Sequence, residues 1–131
     1  MNPETQVYLN GKIVPSSEAH IAIYDASVVL GATLTDMERT FGHQLFCLDE
    51  HLDRFYRSCK FARIEPSISK EKTRKIVEEL VNHNSQFIDS TQELGCIQFI
   101  SPGEFKVYAG SAGNADDMEP TFCIHTFPLP F

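Results

Sequence analysis

Two stretches in the middle of the chain repeat their apolar residues with a helical period, while the residues on either side alternate as strands do. Leu52, Phe55, Tyr56, Cys59 and Ala62 share one side of a helix whose start Asp49 can cap. Thr73, Ile76, Val77, Leu80 and Val81 form the stripe of a second helix, with Ser69 as its cap. Ahead of them, Gln6-Val7-Tyr8-Leu9 and Lys12-Ile13-Val14 flank Asn10-Gly11, a pair that readily supplies the two positive φ angles of a type I′ hairpin turn. Ile21 to Tyr24 is a short apolar run. Gly31 to Phe41 is a longer strand, separated by Gly42-His43 from Gln44-Leu45-Phe46-Cys47. After the helices, residues 96–100, 105–108 and 121–127 read as strands, and Ala109 to Glu119 as a loop. Hairpins at both ends and helices in between predict an α+β fold, a mainly antiparallel sheet with two helices packed against it, rather than a doubly wound sheet.

A chain of 131 residues with 42% hydrophobic content can bury one core, so one domain is expected. The net charge of -7, with Lys and Arg scattered, argues against nucleic-acid and anionic-membrane partners, which need a concentrated basic face. Cys47, Cys59, Cys96 and Cys123 are far apart and contain no C-x-x-C pair, so neither a zinc site nor a disulfide framework is expected. The five histidines form no spaced cluster, and no metal site is expected. With no leader-like start and no apolar run long enough to cross a bilayer, the expected compartment is the cytoplasm.

The segment from Phe46 to Phe55 combines a strand exit, a helix start and an arginine away from the core stripe. At roughly 100° per residue, Arg54 lies about 160° from Leu52. A solvated arginine is the ordinary explanation for such a position. Ser58 and Phe61 share its side at i+4 and i+7, however, and make that face mixed instead of uniformly charged. The strand before the helix is also ambiguous. Alternation puts Thr33, Thr35, Met37, Arg39 and Phe41 on one face and Ala32, Leu34, Asp36, Glu38 and Thr40 on the other, and neither is cleanly apolar. Such a strand is either a charged edge that resists aggregation or the wall of a cleft lined by Thr35, Met37 and Arg39.

The succession Tyr8-Leu9-Asn10-Gly11, Gly31 to Arg39, Gly42 with Phe46, then Leu48-Asp49-Glu50-His51-Leu52-Asp53-Arg54-Phe55 and Arg57-Ser58 resembles the N-terminal small domain of the class IV (fold type IV) pyridoxal-phosphate enzymes. These include branched-chain and D-amino-acid aminotransferases, R-selective amine transaminases and aminodeoxychorismate lyase, and the likeness spans most of residues 6–127. It implies that Arg54 holds the phosphate of pyridoxal 5′-phosphate, a role suited to a planar, permanently charged guanidinium. It also implies that Thr35, Met37 and Arg39 face substrate, and places Gln98 where some relatives carry a carboxylate-binding arginine. Gly31-Ala32-Thr33 and Thr35 depart from the usual Gly-Asp-Gly and aromatic, which implies a smaller, more polar substrate wall.

Aminotransfer with this cofactor needs a lysine bonded to it and an acidic partner for its ring nitrogen. The resemblance places both in a larger C-terminal domain. Residues 1–127 are therefore expected to be the small domain, and Pro128-Leu129-Pro130-Phe131 the start of the interdomain linker. None of Lys12, Lys60, Lys70, Lys72, Lys75 and Lys106 is assigned the catalytic role. The resemblance thus implies an enzyme moving an amino group between an amino acid, with branched-chain amino acids among the candidates, and a 2-oxo acid. It implies a homodimer as well. The 131 residues alone are expected to be inactive and not to retain the cofactor. The rival readings are a lyase of the aminodeoxychorismate type and a non-catalytic binding module that keeps the small-domain fold.

Overall fold

The N-terminal hairpin pairs β1 (Gln6–Leu9) with β2 (Lys12–Pro15) around Asn10 and Gly11, both at positive φ as a type I′ turn requires. The computed structural model describes residues 3–110 and 118–130. A second hairpin joins β3 (Leu34–Phe41) to β4 (Gln44–Phe46), where Gly42 and His43 take the two positive φ angles. With β5 (Leu94–Ser101) and β6 (Thr121–Pro128) these make one antiparallel sheet in the order β2-β1-β6-β5-β3-β4. The first and last strands of the chain are neighbours in it, with Tyr8 opposite Ile124.

Helices α2 (Leu48–Ala62) and α3 (Lys70–Asn84) cover one face of the sheet. The first buries Leu48, Leu52, Phe55 and Cys59, and the second Thr73, Ile76, Val77, Leu80, Val81 and Asn84. These pack against Tyr8, Cys96, Ile100, Phe122 and Ile124, the inward side chains of β1, β5 and β6. Full burial of a side chain such as Phe55 contributes roughly 1.5–3 kcal/mol. Ser69 caps α3 as expected, accepting from the Lys72 amide at 3.1 Å. At its far end Asn84 exchanges two hydrogen bonds with the Gln6 backbone, at 2.8 and 2.9 Å, and donates to Thr126 Oγ1 at 2.8 Å. The helix layer is thereby tied to both β1 and β6.

Several expectations are corrected. After the apolar run Ile21 to Tyr24 the chain turns into an unforeseen four-residue helix, α1 (Ala26–Val29). The reason is Asp25, which is buried and accepts from the Ser27 amide and from the hydroxyls of Ser27, Ser101 and Thr121. Burial opposes its ionisation, but these bonds outweigh it and hold its pKa below the ordinary carboxylate value. Residues 105–108 form no strand: Lys106–Ala109 is a 3-10 turn. Helix α2 begins at Leu48, with Cys47 rather than Asp49 at the cap position, in the left-handed region at φ 55°. Only one residue separates β4 from α2, so the chain must reverse at Cys47 itself. Strand β6 runs one residue past the expected strand 121–127, with Pro128 opposite Leu94, and the Leu129 amide donates to the Glu93 carbonyl at 2.9 Å. The loop expected from Ala109 to Glu119 falls largely outside the described residues.

Strand β3 is not an edge strand. It pairs along its length with β5, and β4 covers its other side at Arg39, Thr40 and Phe41. Its even-numbered residues Asp36, Glu38 and Thr40 lie buried beneath the helices, while Thr35, Met37 and Phe41 are exposed on the opposite face.

Candidate functional site

The contact between β3 and α2 assembles the most polar of these junctions. Asp36 points from β3 toward the first turns of α2 with only 5% of its side chain exposed. It takes two parallel hydrogen bonds from Arg54, Nε to Oδ2 at 2.7 Å and Nη2 to Oδ1 at 2.8 Å. The Nδ1 of His51, one helical turn before Arg54, lies 3.0 Å from Oδ1, and the Met37 amide donates to the same oxygen at 2.9 Å. Burial pushes the Asp36 carboxyl upward, but the hydrogen bonds from Arg54, His51 and Met37 and the arginine's charge outweigh it, and the pKa is lowered. The same pair raises the pKa of Arg54.

The pair fixes the guanidinium through one edge of its fork, because Nε and Nη2 face the carboxylate. Nη1 meets no acceptor among the described residues, and 60% of the Arg54 side chain is exposed. Beside it is a shallow cavity of about 400 Å³ lined by Leu34, Arg54, Arg57, Ser58, Phe61 and Ala62. Arg54 therefore keeps donors that its internal partner leaves unused, and it lines that cavity. A phosphate fits this chemistry: it requires several donors and a fixed positive charge.

The other predicted residues divide between two faces. Thr35, Met37 and Arg39 stand together on the open face of the sheet, where β5 and β6 add Ile97, Phe99 and His125. Arg39 donates from Nε to the Thr40 carbonyl at 3.1 Å, and its guanidinium carbon lies 4.0 Å above the Phe41 ring. Gln98 requires a correction. It is 0% exposed, on the helix-facing side of β5, and donates through Nε2 to Glu38 Oε1 at 2.9 Å. Even and odd residues of β5 point oppositely, so Gln98 is turned away from the wall formed by Thr35, Met37 and Arg39.

Asp36 was missed in the sequence as a site residue. The available signal was its place on the same strand face as Leu34, the face that α2 must cover. Among the described residues no three His, Cys, Asp or Glu side chains group to hold a metal ion, and no helix is long and apolar enough to cross a membrane.

Comparison with known proteins identifies the family. A model of the amino-transferase class IV family matches residues 33–131, from just before β3 to the end of the chain. The chain belongs to that family. It is 31% identical over 93 residues to D-alanine aminotransferase of Staphylococcus aureus (strain N315), a match covering 70% of this chain and 30% of the relative. It is 28% identical over 124 residues to D-alanine aminotransferase of Bacillus licheniformis, covering 95% of this chain and 41% of the relative. In fold it is similar to the branched-chain aminotransferase of the thermophilic archaeon Thermoproteus uzoniensis solved with norvaline, with TM-score 0.76 and 19% identity over 97% of this chain and 41% of that one. The six-stranded antiparallel sheet with its helices is the fold of class IV aminotransferase N-terminal regions. The chain spans less than half the length of these relatives.

Proposed function

We propose that this chain is the N-terminal domain of a pyridoxal-phosphate-dependent aminotransferase that moves an amino group between an amino acid and a 2-oxo acid. The observation that carries the reading is the exposed guanidinium of Arg54, clamped by Asp36 beside a shallow cavity in a class IV family member. A branched-chain amino acid aminotransferase of similar fold, solved with pyridoxamine 5′-phosphate, supports the choice of cofactor. When bound, the cofactor's ring supplies the electron sink for group transfer. The part played by this chain is to bind and orient. Arg54 takes the phosphate through its free edge, Asp36 keeps the guanidinium in one orientation, and His51 steadies Asp36 from the side. A guanidinium already locked by its carboxylate loses little rotamer freedom when it meets an anion. The odd-numbered face of β3, with Thr35, Met37 and Arg39, forms a substrate wall.

The relatives' length supports a larger C-terminal domain following residues 128–131, carrying the lysine and the acidic partner that the chemistry needs. Family membership also supports a homodimeric, cytoplasmic enzyme. The test uses the protein expressed from its whole reading frame, assayed with pyridoxal 5′-phosphate against a panel of amino acids and 2-oxo acids. Amino transfer in the parent protein, with cofactor affinity reduced about 100-fold in Arg54→Gln, is the expected result. Release of pyruvate from an amino-acid substrate without amino transfer would indicate a lyase instead, and Arg54→Gln binding cofactor as tightly as the parent would overturn the assignment of Arg54.

A further inference from the structure

Glu38 on β3 and Gln98 on β5 are buried together, and each is left with one unused oxygen. They are diagonal neighbours on the helix-facing side of the sheet, since Glu38 lies opposite Cys96 and Gln98 opposite Asp36. Gln98 Nε2 donates to Glu38 Oε1 at 2.9 Å. That bond leaves over Glu38 Oε2 and Gln98 Oε1, both buried and both without a hydrogen-bond partner among the described residues. If Glu38 is ionised, both leftover atoms are acceptors, and two acceptors cannot satisfy each other. The surroundings do not relieve them. Asp36, the next residue on the same strand face, adds negative charge that favours a proton on Glu38. The Cys96 thiol beside Glu38 is a weak donor, kept protonated by burial. Of the residues that α2 buries only Cys59 titrates, and burial pushes its thiol up to about 11; of those that α3 buries none does. On β6, the residues opposite Cys96 and Gln98 are Thr126 and Ile124, neither of them charged.

We propose that a single proton closes this pair: Glu38 is held as the neutral acid, its Oε2–H donates to Gln98 Oε1, and the two planar groups make a cyclic double hydrogen bond that latches β3 to β5. Deprotonation, with the proton leaving to solvent, opens the latch, because neither leftover oxygen then carries a hydrogen. Burial pushes the Glu38 carboxyl up to about 7, which makes this a switch in the neutral range. The contribution of the latch is full below the ordinary 4.5 and is lost as pH rises through about 7. The opposite face of the same two strands carries Thr35, Met37 and Ile97, so the latch braces that open face from behind.

The test is a double-mutant cycle in the full-length protein, with Glu38→Met, Gln98→Met and the double variant. Hydrogen exchange of the β3 and β5 backbone amides is measured at pH 4.5 and well above pH 7. The readout is the coupling between the two positions, taken as the ratio of protection factors around the cycle. A proton-closed pair has two bonds at the lower pH and one at the higher, so the coupling should fall about fivefold as pH rises. A lone bond from Nε2–H to the carboxyl would instead strengthen as Glu38 ionises. Coupling that rises with pH, or stays level, therefore overturns the proposal. Where a methionine variant does not fold, Glu38→Gln decides, because its Nε2 donates to Gln98 Oε1 with no proton to lose. Protection of β3 and β5 in Glu38→Gln should equal the parent's at pH 4.5 and exceed it severalfold above pH 7. Protection that follows the parent at both pH values overturns the latch.

Discussion

Asp36 and Glu38 stand two residues apart on the same face of β3, both buried beneath the helices, yet their surroundings shift their ionisation in opposite directions. Asp36 lies where α2 brings Arg54 and His51 to it, and it is held ionised. Glu38, 2% exposed, receives one hydrogen bond from Gln98 at Oε1, and its Oε2 has no partner. Burial pushes its carboxyl up to about 7, Asp36's charge pushes the same way, and the Gln98 hydrogen bond and the nearby Cys96 thiol oppose without prevailing. Burial alone therefore does not decide the state of a carboxyl group; what decides it is whether a cation comes with the burial.

The two groups should bend the stability-pH profile in opposite directions. Glu38 has a folded-state pKa raised above its ordinary 4.5, so its contribution is full below 4.5 and is lost as pH rises to about 7. That shift corresponds to roughly 3 kcal/mol across the window. Glu38→Gln should remove this slope, with the variant gaining on the parent between pH 4.5 and 7 in urea unfolding; a parent-like slope would show that Glu38 does not titrate there. Asp36 has a lowered pKa, so its contribution is present above the ordinary carboxylate value and is lost in more acidic solution. Asp36→Ala should cost about 2 kcal/mol at pH ~7, because it unpairs His51 and the Met37 amide and frees Arg54. Unfolding curves for parent and variant should converge as pH falls below 3.8, and a constant gap would mean that Asp36 acts by packing alone. His51→Ala removes one of the bonds to Asp36 and should cost about 1 kcal/mol, with a smaller loss of cofactor affinity than Arg54→Gln. Met37→Ala, on the open face of the same strand, should change stability by less than about 0.5 kcal/mol while altering relative rates among amino-acid substrates. A large stability loss there would show the open face to be covered in the intact protein.

That opposition within β3 also explains what could be read from the chain before its fold was seen. Both long helices, both hairpins and the position of Arg54 away from the core stripe were legible, because each rests on local rules: a 3.6-residue period, the Asn10-Gly11 and Gly42-His43 turns, and an angular offset on α2. The inward face of β3 was not. Apolarity marks which face is buried only when the buried residues are apolar, and here the buried set is Asp36, Glu38 and Thr40. Gln98 was misplaced for the same reason, since it fills the core as Glu38's partner. The turn into α1 after the apolar run Ile21 to Tyr24 was hidden for another: Ile23 is 81% exposed and the segment is set by Asp25, whose partners Ser101 and Thr121 are distant in sequence.

The pairing of β1 with β6 has a consequence for how the protein is made. Within the sheet the first hairpin pairs only with the last strand, so Tyr8 meets Ile124 late, although α3 also binds the Gln6 backbone through Asn84. During synthesis β1 and β2 emerge early but their place in the sheet stays unfilled until nearly the whole of this chain has left the ribosome, with α3 the earlier element able to hold the ribbon. The loop that this pairing closes is among the longest the chain can form, which makes it a late event with the entropy cost of a distant contact. Until then the edge of β6 that will receive β1 does not exist, and the inner side of β1, with Tyr8, stays open to other chains.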